Sequence, residues 1–477
     1  MLLKSDRIKN INKMNQLKMK TRKWQWLIFV AVLVLTSCKV TQNYKRPVAV
    51  AGNELYRDVK TTDTTTIADI SWKQIFTDTI LQHLIQEGIN NNLDLKIAMS
   101  RIKQTQANLE AGNAALFPSL NVHGTYTDQK SANNTPSISK YYQLYGNSSW
   151  EIDVWGKLRS AKRAALASLY QSEAYKRAVQ TQLVSDIATN YYTLLAYDEQ
   201  LQLTLKTVDF RIQDVATMKI LKEADVVTGA AVVESEANHY SVEVTIPDLK
   251  QNIRVTENAL SVLLGRNPGA IIRDSLKNQQ VRTELQTGVA VQLLSHRPDV
   301  QEAESQLRYY FELTNLARSY FYPSLTITAQ GGFSNGTLST LLNSTSIFGN
   351  IVGGLVQPIF NQGLNKQRLS IAKAQQEESL SAFQKALLNA GQEVSNALYS
   401  YQTASDKMKS RSLQIGFLEK SVDYTKELVK YTQTVNYTDV LTAEESLLSA
   451  QLNSINDRVQ QLDAIVSLYR SLGGGWK

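Results

Sequence analysis

"ALFPSL" (Ala115–Leu120) is answered about 205 residues later by "YFYPSL" (Tyr320–Leu325). Each sits at the end of a polar, helix-patterned stretch, and each opens a run in which apolar and polar residues alternate. The echo extends along the chain. Phe117-Pro118 and Tyr322-Pro323 are offset by 205, as are Trp155 and Phe360. A two-residue insertion then moves the offset to 207, pairing Ile187 with Val394, and "AAVVESEAN" meets "TDVLTAEES" (Thr438–Ser446) at 208. An offset that drifts slowly over most of a 477-residue chain means one unit of about 200 residues used twice.

Each unit has the same internal order. A helical stretch comes first (about 78–114 and 290–319), then two strand-like runs, then two long helical runs. The strands show period two. Leu120, Val122 and Tyr126 alternate with Asn121, His123, Thr125 and Thr127; Leu325, Ile327, Ala329 and Phe333 alternate with Thr326, Thr328 and Gln330. "SWEIDVW" sets Trp150, Ile152 and Val154 against Ser149, Glu151 and Asp153. The fourth run, "SIFGNIVGGLVQPIF", is glycine-rich and its phase is open. Such runs fit a sheet with one apolar and one polar face. They fit equally the lipid-facing and lumen-facing sides of a membrane β-barrel.

The helices are long. Leu158–Thr228 contains neither Pro nor Gly, and at about 1.5 Å per residue it spans roughly 100 Å. Leu183, Ile187, Tyr191, Leu194, Leu201, Leu205, Val208, Ile212 and Val215 predict one buried stripe. Leu448, Leu452, Ile455, Val459, Leu462, Val466 and Tyr469 step by four and three, the seam of a coiled coil. No proline follows Pro358, so nothing breaks the second helix pair.

The formal net charge of +8 invites a nucleic-acid reading, but residues 1–37 carry eight basic side chains and one acid, a net of +7, which leaves 8 − 7 = +1. The basic excess is a leader, not a nucleic-acid face. From Met19, a plausible true start, a basic region precedes the apolar run Trp26–Leu35, too short to span a bilayer and matched to a signal peptide. The one cysteine, Cys38, follows Leu35-Thr36-Ser37, as in the lipobox of bacterial lipoproteins. There the thiol takes a diacylglycerol, the chain is cut before Cys38, and the new N-terminus is acylated, giving stable anchoring. A single cysteine excludes a disulfide within the chain and a cysteine metal cluster.

Four transmembrane strands cannot close alone, because open edges in lipid leave backbone groups unpaired at several kcal/mol each. Known spanning barrels begin at about eight strands. If the strands span a membrane, the chain shares its barrel with copies of itself. The other reading of the same pattern is a small soluble β-subdomain on a helical bundle.

Several stretches resemble the TolC-like outer membrane factor family, in its lipoprotein branch (OprM-like, NodT-type). "LLSHRPDVQEAESQLRYYFELTNLARSYFYPSLTIT" (Leu293–Thr328) is similar to the signature that opens the family's second repeat. "CKVTQNYKRP" (Cys38–Pro47) resembles the lipidated start, and "SWKQIFTDTILQHLIQEGINNNLDL" (Ser71–Leu95) the first helix. "WEIDVWGKLRSA", "SVLLGRNPG", "QPIFNQGL" and "SLGGGW" follow in family order. The resemblance implies a mainly helical, internally duplicated chain with a transmembrane β part. Three copies would form a 12-stranded β-barrel, four strands per chain, continuous with a long α-helical barrel. It implies a passive outer-membrane exit duct of a tripartite efflux system, with no chemistry and no cofactor. Its partners would be a homotrimer of itself, a periplasmic adaptor, an inner-membrane pump and outer-membrane lipid. The organisation is then 1–37 signal peptide, 38–70 lipidated linker, 71–266 first repeat, 267–289 connector and 290–477 second repeat. The rival is a lipid-anchored periplasmic coiled-coil adaptor or scaffold without a pore. A lipid-anchored hydrolase is a third option.

The resemblance further places a periplasmic gate at the helix turns Glu223–Glu236 and Tyr431–Glu445. Asp439 matches an acidic position, and Thr442 stands where relatives often carry a second Asp. Asn436 replaces a turn glycine and would tolerate a left-handed backbone; Gly229 would keep that role in the first repeat. Asp439 reads equally as a helix N-cap. Arg297-Pro298-Asp299 reads as a helix start. Tyr141, Tyr142, Tyr145, Trp150 and Trp155 read either as an interfacial girdle or as ordinary packing. The four histidines are scattered, and no HExxH, GxSxG or Walker A motif is present.

Overall fold

A computed structural model describes residues 40–47, 55, 57, 64–131, 137–280, 287, 288, 292–431 and 436–477. In order, the main elements are α1 (Thr79–Asn91), α2 (Leu93–Ala114), β1 (Ser119–Ser131), β2 (Ser137–Ile152), α3 (Lys157–Glu223), α4 (Gly229–Glu243) and α5 (Thr245–Leu263). The series then repeats with α6 (Pro298–Ser319), β3 (Ser324–Asn335), β4 (Ile347–Val356), α7 (Leu364–Tyr431) and α8 (Tyr437–Ser471). The duplication is structural. α2 and α6 both have 22 residues, and α3 and α7 have 67 and 68. The helical stretch expected at 78–114 is broken at Asn92, whose side chain accepts from the Leu95 N–H at 3.1 Å and so restarts the helix. The last helix of the first repeat is also divided, between α4 and α5. Pro247, in the first turn of α5, has no N–H to return to the preceding turn. No proline interrupts α7 or α8.

The chain forms two compact units, one built on Asn108–Leu166 and Arg308–Glu377, the other on Arg46–Ala107, Ala167–Leu307 and Glu378–Lys477. In the first, the strands form one antiparallel sheet in the order β1-β2-β3-β4. Its register collects one face from all four strands: Leu120, Val122, Tyr126; Tyr142, Leu144, Trp150, Ile152; Leu325, Ile327, Phe333; Ile347, Ile351, Leu355. The opposite face carries Asn121, Thr125, Gln143, Asn147, Thr326, Thr328, Gln330 and Asn350. The register thus settles the phase of β4. Among the described residues nothing covers the apolar face at the edge strands: Leu120 is 76% exposed and Ile351 79%. A soluble subdomain would bury that face, so the soluble reading fails. β2 begins well before the "SWEIDVW" run and ends at Ile152, leaving Val154 outside it. The aromatic residues do not form one belt. Tyr142 pairs with Tyr126 on the apolar face at 4.9 Å, while Tyr145 stacks on His123 on the polar face at 5.1 Å.

The matching of Trp155 with Phe360 needs correction. Ser119 Oγ donates to the Ser149 carbonyl, and Ser324 Oγ to that of Val356. The Trp150 indole donates to the Leu116 carbonyl at 3.0 Å, and the Gln357 amide to that of Phe321 at 3.2 Å. Gly156 and Gly363 both have positive φ. The β2 and β4 segments therefore correspond at 207, and the extra two residues enter within the β3–β4 hairpin, not after Phe360. Trp155 corresponds to Gln362.

In the helical unit, Leu183, Ile187, Tyr191 and Leu194 are buried as the stripe predicts, together with Leu81, Ile85, Leu260 and Val394. Further along α3 the buried line is Thr204, Val208, Arg211 and Met218, while Leu205 and Ile212 are exposed within the chain. A helix with apolar residues on two seams can bury only one against its own chain. On α8, Ile455, Leu462, Val466 and Tyr469 are buried as the heptad predicts.

Each repeat closes with the same lock. α5 ends at Gly265, whose N–H donates to the Val262 carbonyl while Arg266 N–H donates to that of Ser261, both at 3.0 Å. α8 ends at Gly473, where the equivalent bonds, to Arg470 and Tyr469, are both 2.9 Å. These are Schellman caps, which need a left-handed residue, and φ is 68° and 93°. A Cβ on Gly265 would meet the Asn91 carbonyl oxygen at 2.6 Å, and one on Gly473 would overlap the His296 carbonyl. A side chain then ties the cap to the first helix of the repeat: Asn92 Nδ2 donates to the Leu263 carbonyl at 3.0 Å, and Arg297 Nη1 to that of Ser471 at 2.9 Å. Arg297 is buried and also pairs with Asp299 and Glu393, so it serves the helix start. Gly473→Ala is expected to cost about 1–3 kcal/mol from the backbone conformation alone. A lowered melting temperature in detergent would register it, and an unchanged one would remove the lock from the account.

Candidate functional site

The helix-turn end of the second unit holds the residues singled out as a gate. Asn436 caps α8 with φ −101°, in the extended region. It does not occupy a left-handed position, so the turn-glycine role expected for it is wrong. Its side chain accepts from the Asp439 N–H at 3.1 Å, and Asp439 Oδ2 accepts from the Asn436 N–H at 2.9 Å. This reciprocal pair is a capping box, which satisfies two N–H groups the helix start leaves unpaired. Asp439 is therefore the third residue of the helix, and the cap itself is Asn436. Both are exposed, as is Thr442, whose hydroxyl donates to the Thr438 carbonyl at 2.9 Å. In the first repeat Thr228 caps α4 and accepts from the Ala231 N–H. Gly229 is the first helical residue, and the left-handed position belongs to Asp225, with φ 55°. Ala231 stands where Asp439 stands, so the first turn has no capping box. Cys38 lies outside the described residues.

The two turns share a brace. Lys219 of α3 meets Glu236 of α4 at 2.8 Å, and Lys426 of α7 meets Glu444 of α8 at 2.6 Å. The pairs are repeat equivalents. The second differs in one respect, because Arg211 of α3 reaches Glu444 at 2.6 Å and is only 2% exposed. One carboxylate therefore ties α3 to both helices of the second pair. Removing one partner of a buried pair leaves the other charge uncompensated, so this contact is costly to break. Asp214 of α3 adds a second carboxyl, and no donor reaches its buried Oδ2. Burial and the Glu444 charge push Asp214 up to about 6, against the pull of Lys426 and Arg211. Burial and Asp214 push the Tyr437 hydroxyl up to about 12. Arg211 lies outside the stripe read along α3, which passes through Val208 and Ile212, so the sequence carried no sign of this cluster. The partner, 233 residues away, was not readable. Among the described residues no cluster of three His, Cys, Asp or Glu could hold a metal ion. Nor is any described helix long and apolar enough to cross a membrane.

The profile of the outer membrane efflux protein family matches residues 84–266 and 289–474, one stretch in each repeat. The chain belongs to this family. It is 28% identical over 458 residues to the cation efflux system protein CusC of Escherichia coli K12, covering 94% of this chain and 99% of the relative. It is 27% identical over 462 residues to the probable outer membrane lipoprotein SilC of Salmonella typhimurium, covering 95% and 99%. The crystal structure of CusC superposes with a TM-score of 0.82 at 26% identity, over 92% of this chain and all of that one. The open state of the Neisseria gonorrhoeae MtrE outer membrane channel has a TM-score of 0.83 at 24% identity, over 92% and 99%, and speaks for the fold. The family's outer-membrane location and its role in efflux hold for this chain. The bare apolar face of the four-stranded sheet is thereby explained as the lipid-facing side.

The Asp214 carboxyl makes the α3–α8 contact pH-dependent. Its folded value lies above the ordinary 3.8, so protonated Asp214 stabilises the contact at low pH, and that contribution is lost as the pH rises through about 6. Amide exchange around Arg211 and Glu444, corrected for intrinsic rates, is expected to quicken between about pH 4 and pH 7. Asp214→Asn should flatten that dependence, and equal profiles in both proteins would refute the assignment.

Proposed function

We propose that three copies of this chain form a passive exit duct through the outer membrane, fed by an inner-membrane pump through a periplasmic adaptor. The observation that carries the reading is the open sheet. Among the described residues, β1 and β4 each have one unpaired edge, and the apolar face they bound is uncovered at those edges. In lipid each unsatisfied backbone group costs several kcal/mol, so the edges require other copies. Three chains supply the 12 strands that the family resemblance implies. The polar face, with Gln143, Thr326, Thr328 and Gln330, then lines the lumen. Exposed apolar residues on the long helices, among them Leu413, Phe417 and Tyr424 of α7, supply a second surface for neighbouring copies.

Lipidation of Cys38 fits this arrangement. Gln42 and Asn315 exchange two hydrogen bonds, at 3.0 and 2.9 Å, and Thr41 lies beside Gly156, between β2 and α3. The repeats are taken as 71–266 and 290–477, joined by the connector 267–289. Asp439, Asn436 and Thr442 form the narrow end of the duct, where Asp439 adds a ring of negative charge while capping its helix.

The purified protein is expected to run as a trimer that falls to monomer on boiling, and to conduct in a planar bilayer. Asp439→Ala should lower cation selectivity, and conductance without any change of selectivity would take Asp439 out of the lumen. A monomer that never conducts would end the duct reading. Cys38→Ser should abolish incorporation of labelled palmitate while leaving the trimer assembled; incorporation that persists would place the lipid elsewhere.

A further inference from the structure

The chain contains two kinds of strand joint. One lies within each hairpin, between β1 and β2 and between β3 and β4. The other lies between hairpins, and it occurs once, where β2 meets β3. There the Trp155 ring lies on Tyr322 at 5.0 Å and its indole donates to the Pro323 carbonyl at 2.7 Å. Ile152 is opposite Leu325 on the apolar face.

Carrying this joint forward by 207 on one side and back by 205 on the other names residues at the start of β1 and just past the end of β4, which closes at Val356. Ile152 becomes Ile359 and Leu325 becomes Leu120. Trp155 becomes Gln362. Tyr322 and Pro323 become Phe117 and Pro118. The apolar ones are bare: Ile359 is 97% exposed and Phe117 72%. The structure also shows how the second repeat replaces a tryptophan here. Where Trp150 donates its indole N–H to a carbonyl, Gln357 donates its amide N–H to the equivalent one. Gln362 stands 207 residues after Trp155 and also carries an amide donor, on a left-handed backbone (φ 56°) that Trp155 does not share.

We propose that the seam between two copies of this chain repeats the β2–β3 joint, with Gln362 donating to the Pro118 carbonyl of the next copy. Ile359 stands opposite its Leu120, and Gln362 takes over the N–H of Trp155. The apolar contacts bury surface that the lone chain leaves to solvent, and the amide satisfies a carbonyl that would otherwise face the joint unpaired. The proposal rests on the oligomeric duct and goes further by fixing its register.

Directly opposed residues hold their Cβ atoms about 4.5–5.5 Å apart, so Leu120→Cys with Ile359→Cys, Cys38 being kept, should cross-link under mild oxidation. Boiled, non-reducing gels are expected to show covalent dimer and trimer for the double variant and monomer for either single one. An unboiled trimer without cross-links would overturn the register while leaving the duct standing; loss of the trimer from the unmodified protein would remove the duct itself. Should the double variant not assemble, Gln362 decides. Gln362→Ala and Gln362→Glu, neither able to donate, should lower the temperature at which the trimer dissociates by several degrees. Equal dissociation temperatures in both variants and the parent would overturn the proposal.

Discussion

Backbone N–H and C=O groups cannot be left unpaired in hydrocarbon, and this constraint governs the molecule. Its four strands satisfy one another only in the middle. Among the described residues, β1 and β4 keep one edge each, and no helix covers the apolar face between them. A soluble protein would blunt such edges with charge or bury such a face. Here the face is left open, as the proposed closure of the sheet by further copies of the chain requires.

Duplication lets one set of contacts solve the problem several times. The Schellman cap, the left-handed glycine and the tie to the repeat's first helix occur at Gly265 and Asn92, and again at Gly473 and Arg297. The chemistry of the tie changed while its geometry did not: a neutral amide serves one repeat and a buried guanidinium the other. The same holds at the hairpin joints, where Trp150 and Gln357 deliver an N–H to equivalent carbonyls. At the helix turns, Lys219–Glu236 and Lys426–Glu444 are again equivalents. There the contacts differ as well: Arg211 of α3 reaches Glu444 of α8, and the Asn436–Asp439 capping box has no counterpart at the first turn.

The duplication, the strand alternation and the long unbroken helices were legible because each is a local or periodic property of the sequence. Period two in Leu120, Val122 and Tyr126 selects strand, and steps of three and four select helix, whatever the surroundings. Pairing was not legible. β2 was seen only at its end, because Tyr141 and Tyr142 put aromatic rings on both faces and erase the alternation. The glycines of β4 leave its phase undetermined until Leu325 and Ala329 set Leu355 and Ile351 opposite them. Arg211 and Glu444 are 233 residues apart, and only packing could show that they meet.

The sequence by itself determined the repeat, the element types, the single cysteine at the end of an apolar leader, and the family resemblance. Each follows from residue order alone. The tertiary structure decided which seam of α3 is buried, that Asn436 and not Asp439 caps α8, and that the β2 and β4 segments correspond at 207 rather than 205. The physical reason is the same in all three. Several arrangements satisfy the local preferences of a residue equally well, and the choice among them depends on which distant groups arrive to pair with its hydrogen bonds and cover its apolar surface.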